Sequence, residues 1–364
     1  MANILLLTRC MGSGGTETVI LQLARCYREA GYGVFVCGED GPGGDKLRAM
    51  EIPFFPIPDM QCKKPAVMLK ILSTIGSLLR QHKITVVHTH HRMAAFYATL
   101  LRPFYGFAFL NNVHNTFTDK KALTRFSFRG AVNIAVGCAV RDNLVADYGL
   151  PETCIRVIPN AVMPPVLSGK TDPLLGALRE QGKFIIANIG RVNTQKGYEY
   201  YLEAAKLLQD MPFAFLVVGD GVRLEEMQQK ALDLGLSDSV HFLGFRTDVS
   251  DVIAQCDLVV LSSLWEGFPL TPIEVFSVGK TIVATAVPGT LEIVTHEENG
   301  LIVPLKDPAA IAEGIMRLYR DPDLRGRLEK QGQCTYREKF SYDAFCQHYL
   351  ALLKEILAPK DFAS

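Results

Sequence analysis

The stretch at residues 262–292, SSLWEGFPLTPIEVFSVGKTIVATAVPGTLE, decides the fold class of this chain. It follows an apolar run at residues 258–261 that predicts a buried strand. Apolar residues at helical spacing then predict a helix from Thr271, with Pro272 at a first helical position. Residues 281–285 predict the next strand. A strand, a loop, a helix and a second strand in this order are typical of a parallel α/β sheet.

Two carboxylates stand in this stretch, Glu266 in the loop and Glu274 within the first turn of the predicted helix, with seven residues between them. Backbone amides around Phe268, Pro269 and Leu270 are left free where the helix dipole favours an anion. Carboxylates beside an anion site are poor phosphate ligands, so we expect them to accept hydrogen bonds from neutral hydroxyls. A ligand that carries hydroxyls next to a diphosphate is typically a sugar nucleotide. The alternative is an ordinary crossover with a surface glutamate at each end.

Length and composition indicate a globular protein of two domains. The chain has 364 residues, of which 48% are hydrophobic and 21% charged. Its nine cysteines show no CxxC spacing, which favours a reducing cytoplasm and argues against a disulfide framework or a zinc site. The N-terminal apolar run is too short for a signal peptide and predicts a first buried strand. No apolar run approaches the length of a membrane span.

The charge is distributed unevenly although its net value is zero. Residues 1–165 carry 18 Lys and Arg against 11 Asp and Glu, and the remainder carries 20 against 27. Residues 60–130 hold 11 basic residues and one acidic residue, Asp119. This asymmetry suggests an anionic partner for the first half, and the alternative is a solvated basic face.

Two arrays of alternating strands and helices flank a proline- and glycine-rich segment at residues 159–182, which we interpret as a linker. We therefore predict domains at 1–165 and 166–340, followed by a C-terminal helix at 341–364. The predicted strands of the first array lie near residues 3–8, 33–38, 84–89, 107–113, 132–136 and 155–158. Those of the second array lie near residues 184–189, 213–218, 240–243, 257–261, 281–285 and 301–303.

Ligands of parallel sheets sit beyond the carboxyl ends of the strands, and several candidate residues occur there. Gly14 and Gly15 belong to a glycine-rich loop after the first strand, although this loop is neither a complete dinucleotide fingerprint nor a phosphate loop. His114 and the histidines of the HTHH segment, residues 88–91, lie at the carboxyl ends of two further predicted strands. Because no carboxylate or cysteine stands at ligand spacing, we favour hydrogen bonding over metal coordination for them.

Arg191 and Lys196 follow the first strand of the second array, with Gly190 beside them. An arginine offers a planar fork for phosphate oxygens and a lysine offers a point charge. The alternative is that both are exposed loop charges, which is the usual environment of these residue types.

Taken together, these motifs resemble glycosyltransferase family 4. The most specific part is the spacing of Glu266 and Glu274 with GFP between them, followed by the PGTLE segment at residues 288–292. GRVNTQKG at residues 190–197 resembles the diphosphate element of the family. The sequence departs from the family pattern at Pro269, where glycine is common, and at Ala161, where glycine is also frequent.

The resemblance implies an α/β protein of GT-B architecture, in which two Rossmann-like domains face each other across a cleft. The first domain would hold the acceptor, the second would hold the nucleotide sugar, and the last helix would pack back on the first domain. The resemblance also implies a role for each site residue. Arg191 and Lys196 would neutralise the leaving diphosphate, and Gly14 and Gly15 would close over the phosphate. Glu266 would bind hydroxyls of the donor sugar together with the backbone amides of Phe268 and Leu270, and His114 would lie near the reacting sugar. Glu274 would accept hydrogen bonds from the ribose hydroxyls.

The leading hypothesis is a retaining transferase that moves a sugar from a nucleotide diphosphate sugar, with UDP the expected nucleotide. Its acceptor would be a glycan or a lipid-linked glycan in cell-surface polysaccharide or glycolipid synthesis. No cofactor, metal or nucleic acid is expected. The protein is expected to be cytoplasmic. An anionic membrane surface is a candidate partner, which would hold the protein peripherally at the inner face of the membrane. The alternatives are a sugar-nucleotide epimerase of the same architecture and a catalytically silent sugar-nucleotide binding protein.

Overall fold

The computed structural model describes residues 2–12 and 14–358, and these residues fall into two compact α/β units. The first unit is formed by the chain up to Asn160 together with the last helix, which begins at Tyr342. The second unit is formed by Ala161–Ser341. The limits predicted from the sequence, 1–165, 166–340 and 341–364, remain predictions beside this division.

The first unit is built on a parallel sheet of seven strands. They are β1 (Asn3–Cys10), β2 (Gly33–Glu39), β3 (Phe54–Pro56), β4 (Val86–Thr89), β5 (Ala108–Val113), β6 (Val132–Ala135) and β7 (Ile155–Val157). Their order in the sheet is β3-β2-β1-β4-β5-β6-β7, so the strand order reverses between β1 and β4. Such a reversal opens a crevice at the carboxyl ends of the strands, where ligands of this fold class bind.

Six helices connect these strands. They are α1 (Gly15–Glu29), α2 (Pro42–Ala49), α3 (Pro65–Gln81), α4 (Arg92–Tyr105), α5 (Lys121–Ser127) and α6 (Cys138–Ala146). Four consecutive residues of β1, beginning at Ile4, are fully buried, which requires packing on both faces of the sheet. The residue pattern that predicted a buried strand at residues 3–8 is thereby confirmed.

The second unit repeats the architecture with six parallel strands. They are β8 (Phe184–Ile189), β9 (Phe213–Val218), β10 (Val240–Gly244), β11 (Leu258–Leu261), β12 (Ile282–Thr285) and β13 (Leu301–Val303). Their order is β10-β9-β8-β11-β12-β13, which reverses between β8 and β11. The helices are α7 (Pro173–Glu180), α8 (Tyr198–Leu207), α9 (Leu224–Asp233), α10 (Val249–Gln255), α11 (Leu270–Ser277), α12 (Pro288–Leu291), α13 (Pro308–Arg320) and α14 (Pro322–Lys339). The predicted α/β class, with two Rossmann-like sheets, is therefore correct.

The segment interpreted as a linker is not free of regular structure, because α7 lies within residues 159–182. Asp172 caps this helix, since its carboxylate accepts from the amides of Leu174 and Leu175. Pro173 takes the first helical position, where its missing N–H is not needed. The proline that we took as a linker signal is therefore a helix start. Three short elements of the first unit, α2, β3 and α5, were also not predicted.

The last helix, α15 (Tyr342–Leu357), packs within the first unit. Its aromatic residues Tyr342, Phe345 and Tyr349 are buried, and Tyr349 is fully inaccessible to solvent. The Tyr349 hydroxyl accepts from Asn112 of β5 at 2.6 Å, and the Tyr342 hydroxyl donates to the Gln22 carbonyl of α1. Among the described helices, none combines the length and the apolar composition that crossing a membrane requires.

Candidate active site

The loops after β8 and β11 are joined at the carboxyl edge of the second sheet, where the strand order reverses. The amide of Leu264 donates to the Gln195 carbonyl at 2.7 Å, and the hydroxyl of Ser262 donates to the Lys196 carbonyl at 2.9 Å. A Cβ atom at Gly197 would overlap the Ser262 carbonyl oxygen, and the backbone there has a positive φ of 58°. Only glycine allows both features, so Gly197 permits the close approach of the two loops.

Lys196 and Glu266 lie together on this surface as an ion pair. Nζ of Lys196 donates to Oε1 of Glu266 at 2.7 Å, and both side chains are largely shielded from solvent. The carboxylate also accepts from the hydroxyl of Ser263 at 2.7 Å and from the amide of Gln195 at 3.2 Å. Such a buried charge pair needs these additional hydrogen bonds to satisfy the remaining lone pairs. The structure thus brings together two residues to which the sequence assigned different ligands.

Arg191 lies on the same loop but differs in its surroundings. Its side chain is exposed, and its guanidinium has no hydrogen-bond or ion-pair partner within residues 2–12 and 14–358. Gly190, the residue before it, has φ of 151° and supplies the carbonyl that accepts from the Tyr198 hydroxyl. All five N–H groups of Arg191 are therefore open to a ligand, which suits an anion.

Helix α11 begins at Leu270, one residue before the predicted start at Thr271. Pro269 is the N-cap and has an extended backbone, so Pro272 takes the third helical position and not the first. In the part of the chain that is described, the Leu270 amide has no partner. Phe268 is buried, and its ring packs on Phe340 with 5.8 Å between centroids. Its side chain thus anchors the loop.

Glu274 is the fifth residue of α11, so it stands in the second turn and not in the first. Its carboxylate is half-buried and has no hydrogen-bond or ion-pair partner among the described residues. Burial raises the pKa of this carboxyl above its ordinary value, and the Lys196 ammonium partly offsets the effect. A carboxylate that is desolvated and unpaired is suited to accept from ligand hydroxyls.

The first sheet carries the remaining predicted residues at its own carboxyl edge. Gly14 is the N-cap of α1 and Gly15 its exposed first residue, while Ser13 between Gly12 and Gly14 lies outside the described residues. No side chain caps this helix, and Gly14 supplies only its carbonyl, which accepts from Thr18. The amides at the start of α1 remain available to an anion.

The histidines at the carboxyl edge of the first sheet all take part in hydrogen bonds. Nδ1 of His90 lies 3.2 Å from Nε2 of the half-buried His114, and Nδ1 of His91 accepts from the Met93 amide to cap α4. The ring nitrogens of His88 contact the Tyr27 hydroxyl at 3.2 Å and the Asn112 carbonyl oxygen at 2.8 Å. Burial lowers the pKa of His88 to about 4 and that of His114 to about 3, so both are neutral near pH 7.

No metal site is assigned, because the described part of the chain contains no group of three or more histidine, cysteine, aspartate or glutamate side chains placed to hold an ion. All nine cysteines are free. Two functional candidates were missed from the sequence, namely Gln195 and Ser263, which fix the Glu266 carboxylate. Their only signal was adjacency to Lys196 and to the loop of Glu266, and adjacency does not show where a side chain points.

Comparisons with known proteins agree with this architecture. The family model for Glycosyltransferase Family 4 matches residues 13–164, and the model for Glycosyl transferases group 1 matches residues 176–334. The two matches follow one another and together take in every strand of both sheets except β1, which precedes the first match. The chain is a glycosyltransferase of family 4. The resemblance stated from the motifs is therefore confirmed, and the transferase is preferred to the epimerase and the silent binding protein.

Individual relatives extend this result. The glycosyltransferase is 26% identical over 321 residues to the UDP-Gal:alpha-D-GlcNAc-diphosphoundecaprenol alpha-1,3-galactosyltransferase of Escherichia coli, covering 79% of this chain and 80% of the relative. It is 25% identical over 299 residues to an uncharacterized glycosyltransferase of Methanocaldococcus jannaschii, with 76% and 77% covered. The structure of Anabaena HepE in complex with UDP-glucose matches 98% of this chain and 100% of that chain, with a TM-score of 0.86 and 21% identity. HepE thus shares the GT-B fold of this enzyme.

Proposed function

We propose that this enzyme is a retaining transferase that uses a UDP-sugar and acts on a glycan or lipid-linked acceptor in cell-surface polysaccharide or glycolipid synthesis. The observation that supports this most is the set of side chains at the carboxyl edge of the second sheet. There Arg191 is unpaired, Lys196 is held against Glu266, and Glu274 is unpaired and desolvated. Cations for a diphosphate and carboxylates for sugar hydroxyls then lie within one surface.

Each residue has a proposed role toward the donor. Arg191 and Lys196 stabilise the charge that develops on the diphosphate as the glycosidic bond breaks. Lys196 retains two further N–H donors beyond the one used on Glu266, so it can contact a phosphate without releasing the carboxylate. Glu266 and the Leu270 amide bind hydroxyls of the transferred sugar, and Glu274 accepts from the ribose. Gly14 and Gly15 contact the phosphate, and His114 contacts the reacting sugar.

Retention of configuration follows from attack on the same face from which the diphosphate leaves. The leaving phosphate oxygen takes the proton of the acceptor hydroxyl, so the reaction requires no second carboxylate at the spacing of a glycosidase. The names of relatives support the choice of donor and acceptor. The Escherichia coli relative is named for UDP-Gal and a diphosphoundecaprenol acceptor, and HepE was solved with UDP-glucose.

A panel of radiolabelled UDP- and GDP-sugars tests the proposal. We expect one UDP-sugar to be turned over, by transfer to a lipid-linked acceptor or by slow hydrolysis, while the GDP-sugars are not. Proton NMR of the first product formed from an α-linked donor should show the α-anomer. Turnover of a GDP-sugar alone would contradict the proposed nucleotide, and a β-anomer would contradict retention.

We further propose that the enzyme binds peripherally to an anionic membrane at the inner face. Lys120, Lys121, Arg125 and Arg129 are exposed along and beside α5. The aromatic residues near these cations add little to this surface, because Phe128 is buried and Phe117 and Phe126 are half-buried. The four cations therefore carry this proposal by charge alone.

A further inference from the structure

Two histidines at the carboxyl edge of the first sheet form a contact that the proposed roles do not use. His90 follows β4, His114 follows β5, and Nδ1 of His90 lies 3.2 Å from Nε2 of His114. The planes of the two rings make an angle of 24°, and with 5.4 Å between centroids the rings meet edge to edge, as an in-plane hydrogen bond requires. A neutral imidazole carries one N–H, so one of these nitrogens donates and the other accepts. The contact therefore sets the tautomer of both rings together.

Two arrangements satisfy this contact. In the first, Nδ1–H of His90 donates to Nε2 of His114, which leaves Nε2 of His90 bare and places the proton of His114 on Nδ1. In the second, Nε2–H of His114 donates, and His90 then carries its proton on Nε2. The buried Nε2 atom of His90 is therefore an acceptor in the first arrangement and a donor in the second.

The surroundings of His90 favour the first arrangement. His90 is only 3% exposed, and its Nε2 atom is buried without a partner among the described residues. Buried N–H groups without a partner are rarer than under-satisfied acceptors. The ring of His88 packs against that of His90, with 4.5 Å between centroids and 34° between the planes, and is itself held by Tyr27 and Asn112. His90 therefore has little freedom to rotate and find another partner.

We infer that His90 is a positioning residue that holds His114 in the Nδ1–H tautomer, so that His114 presents a hydrogen-bond donor to the ligand. Nε2 of His114 is occupied by His90, and its Nδ1 atom has no partner among the described residues and is not enclosed. A donor at this position recognises an oxygen atom of a sugar hydroxyl. That use rests on the proposed function, whereas the tautomer itself does not.

Long-range proton–nitrogen NMR on the full-length enzyme, with ¹⁵N-labelled histidine, measures the tautomer directly at neutral pH. The His114 signals are those that disappear in His114→Gln. We expect Nδ1 of His114 to be protonated and Nε2 to be bare. Protonation at Nε2 would overturn the inference. The measurement needs no substrate, so it stands even if no donor in the panel is turned over.

Two variants test whether His90 is responsible. His90→Asn keeps an N–H donor near the position of Nδ1, whereas His90→Leu removes it. In His90→Leu we expect His114 to shift to the Nε2–H tautomer. We also expect kcat to fall roughly 10- to 100-fold, because the variant loses a group that orients a functional histidine. The KM for the donor should change little. His90→Asn should keep the tautomer and most of kcat. An unchanged tautomer in His90→Leu, or equal losses of kcat in both variants, would rule out positioning by His90. If His90→Leu does not fold, the wild-type tautomer still decides.

Discussion

Lys196 and Glu266 form a buried ion pair at the proposed donor site. The pair is almost fully shielded, and Ser263 and Gln195 hold the carboxylate in addition. A buried pair of this kind adds little net stability, but the loss of one partner leaves an uncompensated charge. Arg191 has no such partner and remains exposed. The two cations proposed for the diphosphate should therefore respond differently to substitution.

Arg191→Ala should slow transfer roughly 10- to 1000-fold at saturating donor and leave the free energy of unfolding nearly unchanged. Lys196→Ala should slow transfer by a similar factor but also destabilise the second unit by about 3 kcal/mol. Urea unfolding followed by fluorescence of Trp265, the single tryptophan of the chain, measures that difference. Arg320→Ala, which removes an exposed cation at the end of α13, is the matched control.

The double variant Lys196→Ala/Glu266→Gln separates stability from catalysis. It removes both charges, so it should recover most of the stability that Lys196→Ala loses and none of the transfer activity. Wild-type turnover by either single variant would show that the diphosphate is bound elsewhere.

Glu266 and Glu274 should have different kinetic phenotypes. Glu274→Gln should mainly raise KM for the donor, because a ribose contact is equally strong in the ground state and the transition state. Glu266→Gln should mainly lower kcat, because the sugar hydroxyls shift as positive charge develops on the ring. Steady-state kinetics with the preferred UDP-sugar measure both constants. A rise in KM alone for both variants would contradict this division of roles.

At the scale of secondary-structure elements, β4 carries a buried side chain that makes polar contacts with other elements of the first unit. His88 of β4 meets Tyr27 of α1 and Asn112 of β5, and Asn112 in turn donates to Tyr349 of α15. This chain of hydrogen bonds joins four elements that are remote in sequence. The imidazole in this chain is neutral near pH 7, because burial lowers the pKa of His88 to about 4.

The free energy of unfolding should therefore fall as the pH is lowered. The folded pKa of His88 lies below its ordinary value of about 6.5, so the unfolded chain binds more protons between about pH 6.5 and pH 4. Stability is fully present above this window and is lost progressively within it. Lowering the pH from about 7 to 5 should cost about 2 kcal/mol through His88 alone.

His88→Gln provides the comparison, since glutamine can donate to Asn112 but does not titrate in this range. Urea unfolding followed by circular dichroism at both pH values measures the difference between the two proteins. We expect the pH dependence to be smaller in His88→Gln by about 2 kcal/mol. The same pH dependence in both proteins would show that His88 does not titrate as its burial predicts.

For the molecule as a whole, the unequal charge of the two halves leads to a prediction about membranes. The first 165 residues carry the basic excess, and Lys120, Lys121, Arg125 and Arg129 are exposed in the first unit. Each cation near an anionic surface contributes about 1 kcal/mol, and salt weakens the attraction beyond roughly 8 Å at physiological ionic strength. The enzyme should sediment with phosphatidylglycerol vesicles at low salt and not with neutral vesicles.

A charge-reversal variant of these four residues should no longer sediment. The matched control reverses the same number of exposed cations in the second unit, Arg320, Lys330, Arg337 and Lys339, and should sediment like the wild type. If the wild type does not sediment at low salt, the membrane is not a partner and a soluble acceptor is the better explanation of the basic charge.

The sequence by itself determined the fold class, the approximate positions of the predicted strands and the family. Alternation of buried strands with helices is a local pattern, because each element satisfies its own periodicity within a few residues. The spacing of Glu266 and Glu274 likewise lies within one loop and helix, so it could be recognised without any knowledge of packing. Short elements such as β3 and the helix α7 were not predicted, because proline and glycine can mark the start of a helix as well as a loop.

Only the tertiary structure decided which side chains meet. Lys196 and Glu266 are 70 residues apart and pair because β8 and β11 are neighbours at the point where the strand order reverses. His90 and His114 pair because β4 and β5 are neighbours in the other sheet. The order of parallel strands depends on long crossover connections and on burial of the whole sheet. No local pattern specifies it, so the partners at the carboxyl edges become known only when the sheets are assembled.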